Sequence, residues 1–148
     1  MMIVHNSSVP VDKIEADVVA LTFFEDERPL RGVAGMADWR MNGALSRLII
    51  NETLCGREGE SLLMSTDGRI RSPRLLLFGL GDSKAFDGTR FQGLLSTFVG
   101  SIAKLKFRRF AITIPGSSLF STEIAVDSVK KEFEKAGMPD GTEVIIIG

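Results

Sequence analysis

The chain has 148 residues, 44% of them hydrophobic and 25% charged, with a formal net charge of −1. That length carries one domain with a real core, and the near-zero charge supplies no global field for nucleic acid or an anionic membrane surface. Cys55 is the single cysteine, which excludes an internal disulfide; no apolar run is long enough to cross a bilayer, and Met1–His5 lacks the basic-then-apolar form of a signal peptide, so a cytoplasmic protein is expected.

In chain order, residues 2–5 suit a short edge strand, which Asn6-Ser7-Ser8-Val9-Pro10 breaks. Asp17 to Phe24 is a strand apolar on both sides, running into the charged loop Glu25-Asp26-Glu27-Arg28-Pro29. Arg31-Gly32-Val33-Ala34-Gly35-Met36-Ala37 approaches a first helix over Asp38 to about Asn51, where Met41, Leu45, Leu48 and Ile49 share one face. Ser61–Ser65 is a short strand, followed by the turn signal Asp67-Gly68. Leu75-Leu76-Leu77-Phe78-Gly79-Leu80-Gly81 does not alternate at all, as a central strand buried on both faces requires, and its glycines mark a tight exit.

The second helix has the cleanest period: Phe91, Leu94, Leu95, Phe98, Val99 and Ile102, with Asp87 as N-cap. Phe110–Ile114 is a strand ended by Pro115-Gly116, and Ser117–Phe120 a loop. The third helix begins near Ser121, buries Ala125, Val129 and Phe133, and stops at Gly137 and Pro139 before a last strand, Glu143–Ile147. The order β-β-α-β-β-α-β-α-β, without repeat or linker, predicts a single α/β domain over residues 1–148, with helices on both faces of a mixed, mostly parallel sheet.

Gly35-Met36-Ala37-Asp38 with Asn42-Gly43-Ala44-Leu45-Ser46-Arg47-Leu48-Ile49, then Gly56-Arg57-Glu58-Gly59-Glu60, then Leu75–Gly81, resembles in order and spacing the amino-terminal domain of the leucyl aminopeptidase family. The resemblance implies a macrodomain-like three-layer α/β/α fold. It also implies that no catalytic residue, metal ligand or cofactor belongs to this chain, because that family's catalysis lies in a carboxy-terminal domain with two metal ions, to which nothing here corresponds. Pro115–Ser121 is similar to the closing segment of true macrodomains, where the loop cradles the diphosphate of ADP-ribose; their Asn-Ala-Asn segment and glycine run are replaced here by Arg31–Gly35.

Candidate ligand-binding residues follow from two small-residue segments placed at strand ends: Gly32, Val33, Ala34, Gly35 and Asp38 around the first helix, and Gly116, Ser117, Ser118 and Phe120 before the third. Backbone N–H groups there suit a phosphate- or carboxylate-bearing small molecule. His5 lies beside no carboxylate in sequence and suits a structural or surface place; Cys55 has no positioned base and suits packing. Glu25-Asp26-Glu27, with Arg28 and Arg31 after it, suits a solvated loop over a divalent-ion site. Lys104, Lys106, Arg108 and Arg109 suit the end of the second helix, and nucleic acid is not expected. The expected function is a stand-alone, non-catalytic module that binds a small molecule or a protein. The alternatives are a nucleotide or ADP-ribose binder or hydrolase, and an assembly module pairing with itself or with a full-length aminopeptidase.

Overall fold

Apolar runs without alternation belong inside a covered sheet, and in this chain they do. The computed structural model describes residues 2–116 and 122–148. Its elements in chain order are β1 (Ile3–Asn6), β2 (Val18–Phe23), α1 (Gly32–Arg40), α2 (Ala44–Ile50), β3 (Ser61–Ser65), β4 (Arg74–Gly79), α3 (Gly88–Ala103), β5 (Arg109–Ile112), α4 (Thr122–Lys135) and β6 (Glu143–Ile146), with a 3-10 turn at Ser83–Ala85. The sheet runs β1-β6-β5-β2-β4-β3. Among the described residues, only β3 is antiparallel to its neighbour and the other pairings are parallel.

The pleat divides the strand residues between two cores. Val18, Ala20, Leu76, Phe78, Phe110 and Ile112 pack with Phe91, Leu94, Leu95, Phe98 and Ile102 of α3 and with Val129 and Phe133 of α4. Val19, Leu21, Phe23, Leu75, Leu77 and Ala111 pack on the other face with Ala37, Met41 and Leu45, closed below by Val11 and Ile14. Each large side chain so buried contributes about 1.5–3 kcal/mol. The result is the expected three-layer α/β/α arrangement with a mixed, mostly parallel sheet. Asp87 caps α3 as expected, its Oδ1 accepting the Arg90 N–H at 2.9 Å.

The first helix departs from expectation. It begins at Gly32 rather than Asp38 and breaks after Arg40; a second helix starts at Ala44. The break is local backbone chemistry, since Asn42 and Gly43 both take positive φ, 59° and 78°. The small residues ahead of Asp38 are therefore helix, and they are small for packing: Ala34 and Ala37 are buried, and a Cβ on Gly35 would meet the Leu30 carbonyl oxygen at 2.6 Å. Asp38 serves the junction. Its carboxylate accepts the Ser46 N–H at 3.0 Å and the Ser46 hydroxyl, capping α2 from outside.

The glycines at the exit of β4 have the expected role. A Cβ on Gly79 would lie 2.2 Å from the Arg57 carbonyl oxygen and 2.5 Å from the Gly56 carbonyl carbon. Backbone closes on backbone here: Gly79 N donates to Glu60 O at 2.8 Å and Gly81 N to Gly56 O at 2.9 Å. Gly79→Ala should therefore destabilise the protein by about 3 kcal/mol. Gly93→Ala, on the exposed side of α3 with nothing within 4 Å of the added methyl, should instead stabilise by about 0.5–1 kcal/mol. Urea denaturation curves with matched slopes check both.

Candidate functional site

Parallel strands deliver their exits to one end of the sheet, and α/β proteins place ligands there. The exits of β2, β4, β5 and β6 enclose an open cavity of about 660 Å³. Thr22 and Thr113 bring hydroxyls from adjacent strands to it. Thr22 N donates to Thr113 Oγ1 at 3.2 Å, and the two hydroxyl oxygens lie 3.5 Å apart. Asp26, Glu27, Arg31 and Ser83 add the other polar groups, and Phe24, Leu80, Ile114 and Ile147 the apolar wall.

A second cavity of about 520 Å³ adjoins the first and shares Gly32, Val33, Ile147 and Gly148 with it. Its remaining wall is Ser7–Val11 and Met36, a largely apolar surface. The two adjoining cavities, one with most of the polar groups and the other apolar, make up a bipartite cleft that is divided by the wall they share, where Val33 lies close against Gly148.

The loop after β2 is held by its own acids. Asp26 reaches across to the exit of β4, where it accepts the Ser83 N–H at 2.9 Å and the Ser83 hydroxyl at 2.5 Å. Those bonds hold the Asp26 carboxyl below its ordinary 3.8, the hydroxyl contributing most. Glu27 Oε2 accepts the N–H of Arg31 at 2.9 Å, and Oε1 that of Phe24 at 3.4 Å. Arg28 turns away to donate to the Cys55 carbonyl at 3.2 Å. Among the described residues no three His, Cys, Asp or Glu side chains stand where they would hold a metal ion, and no helix is long and apolar enough to cross a membrane.

Of the residues singled out from sequence, Gly32, Val33, Ala34 and Gly116 line the first cavity. The first three do so as the opening turn of a helix rather than as a loop. The side chain of its N-cap residue, Arg31, makes no capping bond, while Glu27 accepts the Arg31 N–H. Gly35 and Asp38 are absent from the lining of both cavities and serve the packing and capping described above. Gly116 is small for an internal reason: a Cβ there would sit 2.3 Å from the Phe86 ring. Ser117, Ser118 and Phe120 lie outside the described residues.

His5 stands at the sheet edge, Nε2 2.6 Å from Glu143 Oε2, and Arg109 Nε lies 2.9 Å from Glu143 Oε1. Cys55 packs half-buried, its Sγ 3.7 Å from the Glu52 carbonyl. Sequence reasoning missed Thr22, Thr113, Ser83 and Val11 as cleft residues, and it read Asn6–Pro10 only as a strand break. The available signal was position: Thr22 is in the last two residues of β2, Thr113 and Ser7 follow directly on β5 and β1, and Ser83 lies four residues past β4.

Residues 18–131 match the model of the cytosol aminopeptidase family, N-terminal domain. A probable cytosol aminopeptidase of Alkaliphilus metalliredigens is 26% identical over 103 residues, which is 70% of this chain but 21% of that protein. Among solved structures, a variant of tomato leucine aminopeptidase superposes on the whole chain with a TM-score of 0.74 at 18% identity, and 32% of its own length is covered. The macrodomain of Thermus aquaticus DarG superposes with a TM-score of 0.69 at 13% identity, covering 100% of this chain and 99% of that one. A variant of the Oceanobacillus iheyensis macrodomain solved with ADPR gives 0.67 at 13% identity, covering 97% and 82%. The chain thus spans about a fifth of the relative's length, and its likeness to the macrodomains is one of fold.

The Asp26–Ser83 clasp has a definite pH dependence. A folded-state pKa below 3.8 means that the clasp's contribution to stability is fully present above 3.8 and is lost as pH falls through the lower folded-state value. A carboxyl-carbon NMR titration should place the Asp26 midpoint below 3.8, and Ser83→Ala should move it up toward that value. A midpoint unmoved by the substitution would remove the clasp.

Proposed function

The chain belongs to the cytosol aminopeptidase family through that family's N-terminal domain, and on this premise we propose that the domain is a small-molecule-binding module of the cytosol and does no peptide chemistry of its own. The observation that carries the reading is the bipartite cleft: cavities of about 660 and 520 Å³ share one wall at the ends of the parallel strands. Each falls in the size range of small-molecule sites, and they lie where this architecture offers backbone and side-chain groups to a ligand. Support for a binding role over a peptidase role comes from the lining, which brings hydroxyls, two acids and one guanidinium together but no set of metal ligands among the described residues. A phosphate-bearing ligand, suggested by the fold's likeness to a macrodomain solved with ADPR, meets Asp26 and Glu27 in the polar cavity and is the weaker reading.

A panel of nucleosides, sugars and organic acids, screened by protein NMR, should contain members that shift the amides of Gly32, Val33 and Ala34 saturably. Val33→Trp fills the wall common to both cavities and should weaken that binding at least about tenfold, or 1.4 kcal/mol, with the melting temperature retained. Protein incubated with divalent zinc or manganese should leave peptides uncut. Amides unmoved by the whole panel, or measurable peptide hydrolysis, would overturn the reading.

A further inference from the structure

Resting on the cleft reading above, one step further concerns the class of ligand it admits. We infer that Glu27, assisted by Asp26, is a built-in anion that selects uncharged ring-bearing polyols, of which nucleosides are the type, and rejects their phosphorylated forms.

A helix start beside a cavity draws negative charge to itself. Here Gly32, Val33 and Ala34, the opening residues of α1, line the polar cavity. The chain has already put its own carboxylate at that spot. Glu27 Oε2 accepts the N–H of Arg31, the N-cap residue of α1, at 2.9 Å, and its other oxygen accepts the Phe24 N–H. The carboxylate is therefore fixed at the positive end of the helix, where a ligand's phosphate would otherwise be drawn.

Asp26 adds a second negative charge to the same wall. An exposed carboxylate is ionised at neutral pH with or without a partner, and the bond to Ser83 fixes where this one stands. Among the described residues, Arg31 is the cation of this lining, one guanidinium against two carboxylates, and the Lys84 ammonium acts on Asp26 from outside the lining.

What the cleft lacks in positive charge it has in hydroxyl partners. Thr22 and Thr113 present oxygens 3.5 Å apart, each able to donate and to accept. The carboxylate oxygens of Asp26 and Glu27 accept, and a ligand hydroxyl donates to them without bringing like charge. Next door, Val9, Pro10, Val33 and Met36 offer an apolar wall to a ring. A ring joined to a neutral polyol uses both ends of the cleft.

Adenosine and AMP differ only by the phosphate and serve as the probe pair. In low salt at neutral pH, with the Gly32–Ala34 amides as the readout, the native protein should bind adenosine saturably and AMP about tenfold or more weakly. Glu27→Gln keeps an acceptor for the Arg31 N–H and removes the charge; it should narrow the difference to about threefold or less. Asp26→Asn should narrow it in the same direction. The native comparison stands even if a variant fails to fold. AMP binding as tightly as adenosine would overturn the selectivity while leaving the cleft a binding site. A difference unchanged in well-folded Glu27→Gln would overturn the part given to Glu27. If neither probe moved the amides at millimolar concentration, the inference would fall; amides still by every member of the wider panel would take the cleft reading with it.

Discussion

The parallel pairing of β2 with β4 is the constraint on which the cleft depends. Its register sets Leu21 beside Leu77, Thr22 beside Phe78 and Phe23 beside Gly79. Both strands are covered on both faces, so a slip by one residue would exchange every side chain between the two cores. Phe78, for one, would leave its contact with Phe98, whose ring centroid lies 5.2 Å away. The pairing continues past the strands: Leu80 N donates to Phe23 O and Glu25 N to Gly81 O, each at 2.9 Å. Two exits held in step bring Asp26 opposite Ser83. The clasp between loops is thus a downstream effect of hydrophobic register.

That order of causes explains how a common architecture carries an individual site. Any sheet of this strand order leaves a crevice at the carboxyl ends of its parallel strands. The layers account for the existence of the cleft, and the first few residues after each strand account for its chemistry. In this chain those residues are a phenylalanine and two acids after β2, a serine after β4, a threonine after β5 and an isoleucine with a glycine after β6. Family membership therefore speaks for the scaffold.

Much of the scaffold was legible because burial leaves a period. The unbroken run Leu75–Phe78 became an interior strand, and the stripe from Phe91 to Ile102 became the buried face of α3. Asp87 was legible as a cap because that position needs a short acceptor. The opening of α1 was not: glycine and alanine weaken a hydrophobic period, and only the tertiary contact with Leu30 and β2 shows why they are small. The cleft was legible by place but not by chemistry. Gly32–Ala34 and Gly116 were found through strand ends, whereas Asp26 and Glu27 read as a solvated loop because their partners, Ser83 N and Arg31 N, are backbone groups that spacing does not reveal.

The contact between Gly116 and Phe86 bears on how genetic data for this domain should be interpreted. The Phe86 ring meets Phe24 edge-on at 5.1 Å and Phe91 at 6.3 Å, so it joins the exit of β2 to the body of α3. A bulky replacement at Gly116 would dislodge that ring and, with it, the rim that Phe24 helps to form. In a saturation screen scored by binding alone, Gly116 would rank among the ligand contacts although the damage had travelled through an aromatic lever. Suppression by a smaller residue at position 86 would reveal its mechanical origin.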